Sequence, residues 1–199
     1  MSVTSTPGFV AGGATCGIKP SGVPDLALVA TADRAAVTAA GVFTSNKMTA
    51  APVLVCREDL AAPRGKPAAV VLNSGNANAA TGAQGMADAR QMAAATAAEL
   101  GCATEEVLVC STGWIGYPLP MGAVLGGITT AAASLSEDGG AAAATAIMTT
   151  DTVPRSTVVV GEGFTVGGIA KGAGMIQPGM SPTGTLPASA PLHATMLSF

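Results

Sequence analysis

The chain has 199 residues and a mass of 19.1 kDa, which suits one compact domain, 1–199, that can bury its own core. Nine lysines and arginines against twelve aspartates and glutamates give a net charge of -3, without the clustered basic residues that nucleic-acid binding requires. The mean hydropathy is positive, at +0.49, but no run approaches the roughly 20 apolar residues that span a bilayer, so we expect no membrane association.

The amino-terminal residues 1–15 have neither an early basic region nor a continuous apolar stretch. Because targeting signals need both features, we expect a cytoplasmic protein. The four cysteines show no CxxC spacing, and in a reducing compartment they are predicted to be free thiols rather than disulfides or metal ligands. They are Cys16, Cys56, Cys102 and Cys110.

Short apolar runs bounded by Gly, Pro, Asn or Asp predict seven strands. These runs are 26–30, 41–43, 53–55, 68–72, 107–110, 157–160 and 164–170. Apolar residues at helical spacing, or a high alanine content, predict helices over 83–100, 121–133 and 141–148, the first of them capped by Gly101. Because strands and helices alternate along the chain, we expect α/β or α+β layering.

Two polar blocks follow predicted strands. Asn73–Asn78 is too polar for a strand interior and lacks the Gly-Lys-Ser/Thr ending of a phosphate loop, so it is predicted to be a turn near a cleft. Ser111, Thr112 and Gly113 follow the strand 107–110 and predict a tight turn that could aim a hydroxyl and a backbone N–H into that cleft. Without further information, such a triplet more commonly begins a helix or turn.

The carboxyl-terminal region carries Lys171 in a Lys-Gly-Ala-Gly-Met turn, then a proline-rich segment over 177–193, and then Ala194 followed by Thr195. A threonine behind a small residue is what a self-cleaving enzyme needs, because cleavage frees an α-amine that can act as base for the threonine hydroxyl. The single histidine, His193, lies in the proline-rich segment, so neither a Ser-His-Asp arrangement nor a zinc site is expected.

Several blocks in this order resemble the N-terminal, or α, portion of the bifunctional ornithine acetyltransferase (glutamate N-acetyltransferase) family, ArgJ, from about Gly8 to Phe199. The resemblance implies a layered α-β-β-α sandwich of the DmpA/ArgJ-like type, with mixed sheets and helices on the outer faces. This chain departs from the family in the length of the segment 177–193, which is predicted to be an inserted loop. The blocks are Gly17–Gly22, Asp25–Val29, Ala40–Asn46, Ala50–Leu54, Leu72–Ala79, Cys110–Gly116, Ala146–Thr152 and Lys171–Ile176.

The resemblance also implies roles for individual residues. Thr195 is the expected nucleophile, and the Ala194–Thr195 bond the expected cleavage site. Thr112 and Gly113 correspond to the oxyanion hole of the family. Substrate-binding roles are carried over to Thr149, Lys171 and Thr195, with Thr150 as a second choice for Thr149. From the residues alone, a lone lysine in a glycine loop such as Lys171 is more often simply solvated, and Thr149 could close the preceding alanine helix.

The implied reaction is the transfer of an acetyl group from N-acetylornithine to glutamate through a threonine acetyl-enzyme, as a step of arginine biosynthesis. No cofactor or metal is expected, although some family members accept acetyl-CoA as a substrate. The expected partner is the β chain of the same precursor in an α2β2 assembly. Because that β portion is missing from this sequence, we expect the isolated chain to be inactive.

Two alternatives remain open at this stage. One is a non-catalytic fragment or partner subunit that folds but needs a separate β chain. The other is a self-processing amidase or aminopeptidase with an N-terminal threonine, which differs from a transferase only in the acceptor of the acyl group.

Overall fold

A computed structural model of the chain describes residues 2–62, 65–172, 180–181 and 197–198. The strands are β1 Phe9–Ala14, β2 Leu26–Thr31, β3 Phe43–Thr44, β4 Ala69–Asn76, β5 Val107–Trp114, β6 Arg155–Gly161, β7 Phe164–Lys171, β8 Met180–Ser181 and β9 Leu197–Ser198. The α-helices are α1 Ala51–Ala61, α2 Gly82–Leu100, α3 Met121–Ala133 and α4 Gly140–Ala146, and short 3-10 helices cover Val3–Ser5 and Thr104–Glu106.

The main sheet has four strands in the order β1-β2-β4-β5. Strands β1, β2 and β4 pair antiparallel, whereas β4 and β5 are parallel. A parallel pair needs a long crossover, and α2 supplies it here. As a result, β4 and β5 end at the same edge of the sheet. Two smaller sheets join β6-β7-β9 and β3-β8.

Helices cover both faces of the main sheet. On one face α1, α2 and α3 enclose a core that includes Leu28, Val71 and Met92, all fully buried. Buried alanines at positions 89, 93 and 97 of α2 repeat every four residues and let this helix approach its neighbours closely. The second core lies on the opposite face between α4, β7 and the amino-terminal 3-10 helix. Among the described residues, no helix is long and apolar enough to cross a membrane.

Cys56 of α1 contacts the outer edge of β5. Its thiol donates to the carbonyl of Val109 at 3.1 Å and lies 3.3 Å from the Val109 backbone nitrogen, which donates to the sulfur. The thiol thus satisfies two backbone polar groups on an edge strand, where unpaired groups would otherwise invite pairing with another chain.

Most predicted elements are present, and the mixed α/β class is confirmed. Helix α3 has the predicted bounds, α2 begins one residue earlier than predicted, and Gly101 caps α2 with a left-handed backbone at φ 72°. Five predicted strands overlap β2, β4, β5, β6 and β7, and each of these observed strands is longer than predicted.

Two secondary-structure predictions need correction, and one strand was missed. The strand predicted at 53–55 is part of α1, whose buried Ala51, Val55 and Asp59 recur at helical spacing behind a proline in the first turn. The strand predicted at 41–43 is the short β3, which overlaps it only at Phe43. Strand β1 was not predicted, because its glycines and alanines lack the β-branched residues that signal a strand. Most of the predicted loop 177–193 lies outside the described residues.

Candidate active site

The carboxyl ends of β4 and β5 bring two polar blocks together. Strand β4 continues through Asn76 and β5 through Trp114, and their parallel register places Asn73 beside Ser111, Ser74 beside Thr112 and Gly75 beside Gly113. The predictions of a turn at Asn73–Asn78 and of a turn at Ser111–Gly113 were therefore wrong for residues 73–76 and 111–113, which are strand residues. The polar groups are tolerated because each finds a buried partner.

These partners are specific. The Ser111 hydroxyl donates to Asn73 Oδ1 at 2.6 Å, and Asn73 Nδ2 donates to the carbonyl of Asn76 at 2.8 Å. The Ser74 hydroxyl donates to the carbonyl of Ala146 at 2.5 Å, which ties the strand end to α4. Asn73 and Ser74 are fully buried. The asparagine block therefore supports the strand ends rather than facing a ligand.

Only glycine fits at position 113. Its φ of 136° lies in the region that side chains rarely adopt, and a Cβ atom there would lie 2.2 Å from the carbonyl carbon of Gly75. The register between β4 and β5 shifts at this point, between Gly75 and Asn76. The irregular strand end breaks the regular ladder, and such bulges commonly redirect groups at functional sites.

Thr112 and Lys171 meet in the interior. The Lys171 ammonium donates to Thr112 Oγ1 at 3.1 Å, although the two residues are 59 positions apart. Thr112 is 1% exposed and Lys171 5% exposed. Because the Thr112 oxygen accepts this bond, its own hydroxyl hydrogen is directed elsewhere, and it has no acceptor within the described part of the chain. A buried hydroxyl donor of this kind is suited to stabilising a developing negative charge.

Asp151 holds the backbone around Lys171 and Thr149. Its carboxylate accepts from the N–H of Gly172 at 2.8 Å and from the N–H of Thr149 at 3.3 Å. Arg155 Nε lies 3.8 Å from Asp151 Oδ1. Burial opposes the charged form, but these backbone hydrogen bonds outweigh it and keep the pKa of Asp151 below its usual value. The pKa of Lys171 is lowered by burial, and the charge of Asp151 opposes that shift.

The structure thus brings four of the predicted site residues into one region. Thr112 and Gly113 end β5, Lys171 ends β7 and contacts Thr112, and Thr149 is linked to the residue after Lys171 through Asp151. Thr149 follows α4, which ends at Ala146, so it does not close the helix. Thr150 is exposed beside it. The predicted nucleophile and cleavage site, Thr195 and Ala194, lie outside the described residues, as does His193.

A loop that sequence reasoning left without a role also borders this region. The fully buried Asp25 carboxylate accepts from four backbone N–H groups, those of residues 16 to 19, at 2.7 to 3.1 Å, while the carbonyl of Asp25 accepts from Ser74 N at 2.8 Å. Burial opposes its ionisation, but the hydrogen bonds from the backbone amides outweigh burial and hold the pKa of Asp25 below its usual value. The one sequence signal was an aspartate directly before a buried strand and after a glycine-bounded turn.

Asp25→Asn is expected to destabilise the complete protein by about 3 kcal/mol at pH 7, because an amide offers one acceptor oxygen and sets its own NH₂ against the four donors. The pKa of Asp25 is lower in the folded state than in the unfolded state. The carboxylate therefore stabilises the folded protein fully above about pH 5, and this stabilisation is lost as the pH falls through the pKa of the folded state. Urea unfolding at pH 7 and at lower pH measures the effect. The difference in the free energy of unfolding between Asp25→Asn and the unsubstituted protein should be smaller at the lower pH.

Asp33→Asn is the matched control, because Asp33 is exposed and accepts one backbone N–H, from Ala35 at 3.0 Å. It should change stability by less than about 0.5 kcal/mol. The assigned role of the Asp25 carboxylate would be contradicted if both substitutions lowered the free energy of unfolding equally. It would also be contradicted if the loss caused by Asp25→Asn did not vary with pH.

No group of three or more His, Cys, Asp or Glu side chains within 2–62, 65–172, 180–181 and 197–198 could hold a metal ion. The groups that do converge are hydroxyl, ammonium, carboxylate and glycine backbone. Their chemistry fits the binding of an anionic ligand and the stabilisation of an oxyanion.

Comparison with known proteins supports the predicted resemblance. The ArgJ family matches residues 10–199. Proteins named "Arginine biosynthesis bifunctional protein ArgJ" from Streptomyces coelicolor and Geobacter sulfurreducens are 55% and 48% identical, over 91% and 87% of this chain. The matched regions are 46% and 44% of those proteins, so the chain spans about half the length of these relatives.

Two solved structures are similar over most of the described fold. Ornithine acetyltransferase from Mycobacterium tuberculosis, complexed with ornithine, has a TM-score of 0.86 and 45% identity, covering 90% of this chain and 96% of that one. The ArgJ protein from Bacillus halodurans has a TM-score of 0.82 and 41% identity, with coverage of 91% and 95%. These structures have the α-β-β-α fold, which confirms the predicted fold type.

Proposed function

The chain belongs to the ArgJ family, and from this we propose that it forms the amino-terminal half of an acyltransferase that moves the acetyl group of N-acetylornithine to glutamate. The observation that carries the proposal is the buried Thr112 hydroxyl, which accepts from Lys171 and keeps its hydrogen for another acceptor. A donor fixed in this way is what acyl transfer needs where the carbonyl oxygen becomes negative.

In the proposed first step, the Thr195 hydroxyl oxygen attacks the acetyl carbonyl carbon of N-acetylornithine. Its proton passes to the free α-amine of Thr195 and then to the departing nitrogen of ornithine as the C–N bond breaks. In the second step, the amine of glutamate attacks the ester, the bond from the threonine oxygen to the acetyl carbon breaks, and the hydroxyl regains a proton. Thr112 and the Gly113 N–H stabilise the oxyanion in both steps.

Lys171 has two proposed tasks, which its geometry makes compatible. One N–H of its ammonium fixes the Thr112 oxygen, and two remain for the α-carboxylate that both amino-acid substrates carry. Thr149 is proposed as a second substrate contact, because Asp151 links its backbone to Gly172, beside Lys171. Acetyl-CoA as a donor is not part of this proposal, since none of these contacts bears on it.

We also propose that a β portion completes the protein as an α2β2 assembly in the cytoplasm. The support is that the chain spans about half of its relatives, together with an exposed apolar surface on the β6-β7 hairpin. Val159, Val166 and Phe164 are each more than half exposed, and the register of the hairpin places them on one face. Large apolar side chains clustered on a hairpin are typical of surfaces that another polypeptide covers.

The proposal is tested with the complete protein, this chain together with its β portion. Incubated with N-acetylornithine and glutamate, it should release ornithine and form N-acetylglutamate in equal amounts, whereas the present chain alone should form neither. Release of acetate at a rate that does not depend on glutamate would instead identify a hydrolase. Intact-mass analysis would show whether cleavage at Ala194–Thr195 accompanies activity, and an uncleaved but active protein would remove the N-terminal threonine from the mechanism.

A further inference from the structure

We propose that Lys19 is a second carboxylate-binding lysine of this site, which holds the α-carboxylate of the amino-acid substrate together with Lys171. The inference rests on the proposed function, which supplies the class of ligand. Its structural basis is the placement of the loop 16–19 against Gly75 at the end of β4, the residue that pairs with Gly113 of β5.

The loop is fixed in place by Asp25. Four consecutive amides, those of Cys16, Gly17, Ile18 and Lys19, converge on one buried carboxylate. Such a concave run of N–H groups around an anion leaves the loop little freedom. The backbone of Lys19 is therefore held in place by the Asp25 carboxylate.

The stem of Lys19 lies against the end of β4, beside the candidate oxyanion hole. A Cβ atom on Gly75 would lie 3.1 Å from Lys19 Cγ and 3.0 Å from Ile18 Cγ2, so the loop packs directly on Gly75. Gly75 is paired with Gly113. Lys19 thus packs on the β4 residue that pairs with Gly113, next to the strand end that carries Thr112 and Gly113.

The charged groups around Lys19 point to an anionic ligand. Burial lowers the pKa of Lys19, and the nearby charge of Lys171 lowers it further, while Asp25 and Asp151 oppose the shift. The Lys19 ammonium donates to the Pro24 carbonyl at 2.8 Å, which leaves two of its three N–H groups without an acceptor in the described structure. Asp25 and Asp151 are already engaged by backbone amides. A carboxylate bound near both lysines would relieve their repulsion and use their remaining donors.

L-ornithine and putrescine test the inference, because they differ only by the α-carboxylate. Calorimetric titration of the complete protein should show that Lys19→Met raises the Kd of L-ornithine about tenfold or more and leaves the Kd of putrescine unchanged. Lys19→Gln, which keeps an N–H donor for Pro24 but no charge, should resemble Lys19→Met. Lys19→Arg should stay within about threefold of the unsubstituted protein. Lys66→Met, at an exposed lysine, is the matched control.

A change of less than about twofold in the Kd of L-ornithine for Lys19→Met would overturn the inference, as would an equal loss for putrescine. If Lys19→Gln binds L-ornithine normally, the lysine serves only to hold Pro24, and the inference is also wrong. A complete protein that binds L-ornithine through Lys19 but transfers no acetyl group to glutamate would refute the proposed function and leave this inference standing. Thermal unfolding of each variant shows that the comparison is between folded proteins.

Discussion

Thr195→Ala is expected to lower kcat for acetyl transfer by the complete protein about 10⁴-fold or more, because the substitution removes the proposed nucleophile and with it the covalent intermediate. The same change should leave the Ala194–Thr195 bond intact, since the attacking hydroxyl is also the group that would cleave the chain. Formation of N-acetylglutamate measures the first effect, and intact mass measures the second.

Two further variants make this result specific. Thr195→Ser keeps a hydroxyl and should retain both cleavage and measurable transfer. Thr185→Ala changes another threonine of the proline-rich segment 177–193 and should have no effect on either. If Thr195→Ala forms N-acetylglutamate at a rate within tenfold of the unsubstituted protein, the acetyl-enzyme at this residue is ruled out.

Thr112→Val is expected to lower kcat by about 10²- to 10³-fold, the usual effect of removing one oxyanion donor. The valine has nearly the same shape, so the fold at this fully buried position should persist while the hydroxyl is lost. The substitution also removes the acceptor of the Lys171 ammonium at 3.1 Å, and we expect some loss of stability from that buried donor. Steady-state kinetics with N-acetylornithine and glutamate measure the effect.

Thr96→Val is the matched control for this substitution. Thr96 is also fully buried, but its hydroxyl has no hydrogen-bond partner among the residues described, so the change should leave kcat unaltered and stability equal or higher. Thr112→Ser, which keeps the hydroxyl, should restore most of the activity. A Thr112→Val protein with kcat within about threefold of normal would show that the hydroxyl does not contact the oxyanion.

Local sequence pattern was sufficient for the longer helices. The apolar and alanine positions of α2 and α3 repeat at helical spacing, and Gly101 marks the end of α2, so their bounds could be predicted to within one residue. The same reasoning failed at 53–55, where three apolar residues looked like a strand. There, the repeat that matters runs through Ala51, Val55 and Asp59 and includes a buried aspartate. A window of three residues cannot reveal that period.

The polar strand ends show why part of the site could not be predicted. Residues 73–76 looked too polar for a strand, because a polar group inside a sheet is unfavourable unless it is hydrogen-bonded. The partners that make it favourable are Ser111, the carbonyl of Ala146 and the carbonyl of Asp25, all distant in sequence. Asp25, Asp151 and Lys19 were missed as site-forming residues for the same reason.

The sequence by itself determined the family, through motif blocks that follow one another in a characteristic order, and it named Thr112, Gly113, Thr149 and Lys171 as candidates. It also determined the class of fold, because strand and helix patterns are local. Only the tertiary structure decided that the Lys171 ammonium contacts the Thr112 hydroxyl and that the loop of Lys19 packs on Gly75. These contacts depend on the parallel register of β4 and β5 and on burial, which bring together side chains that no local pattern relates.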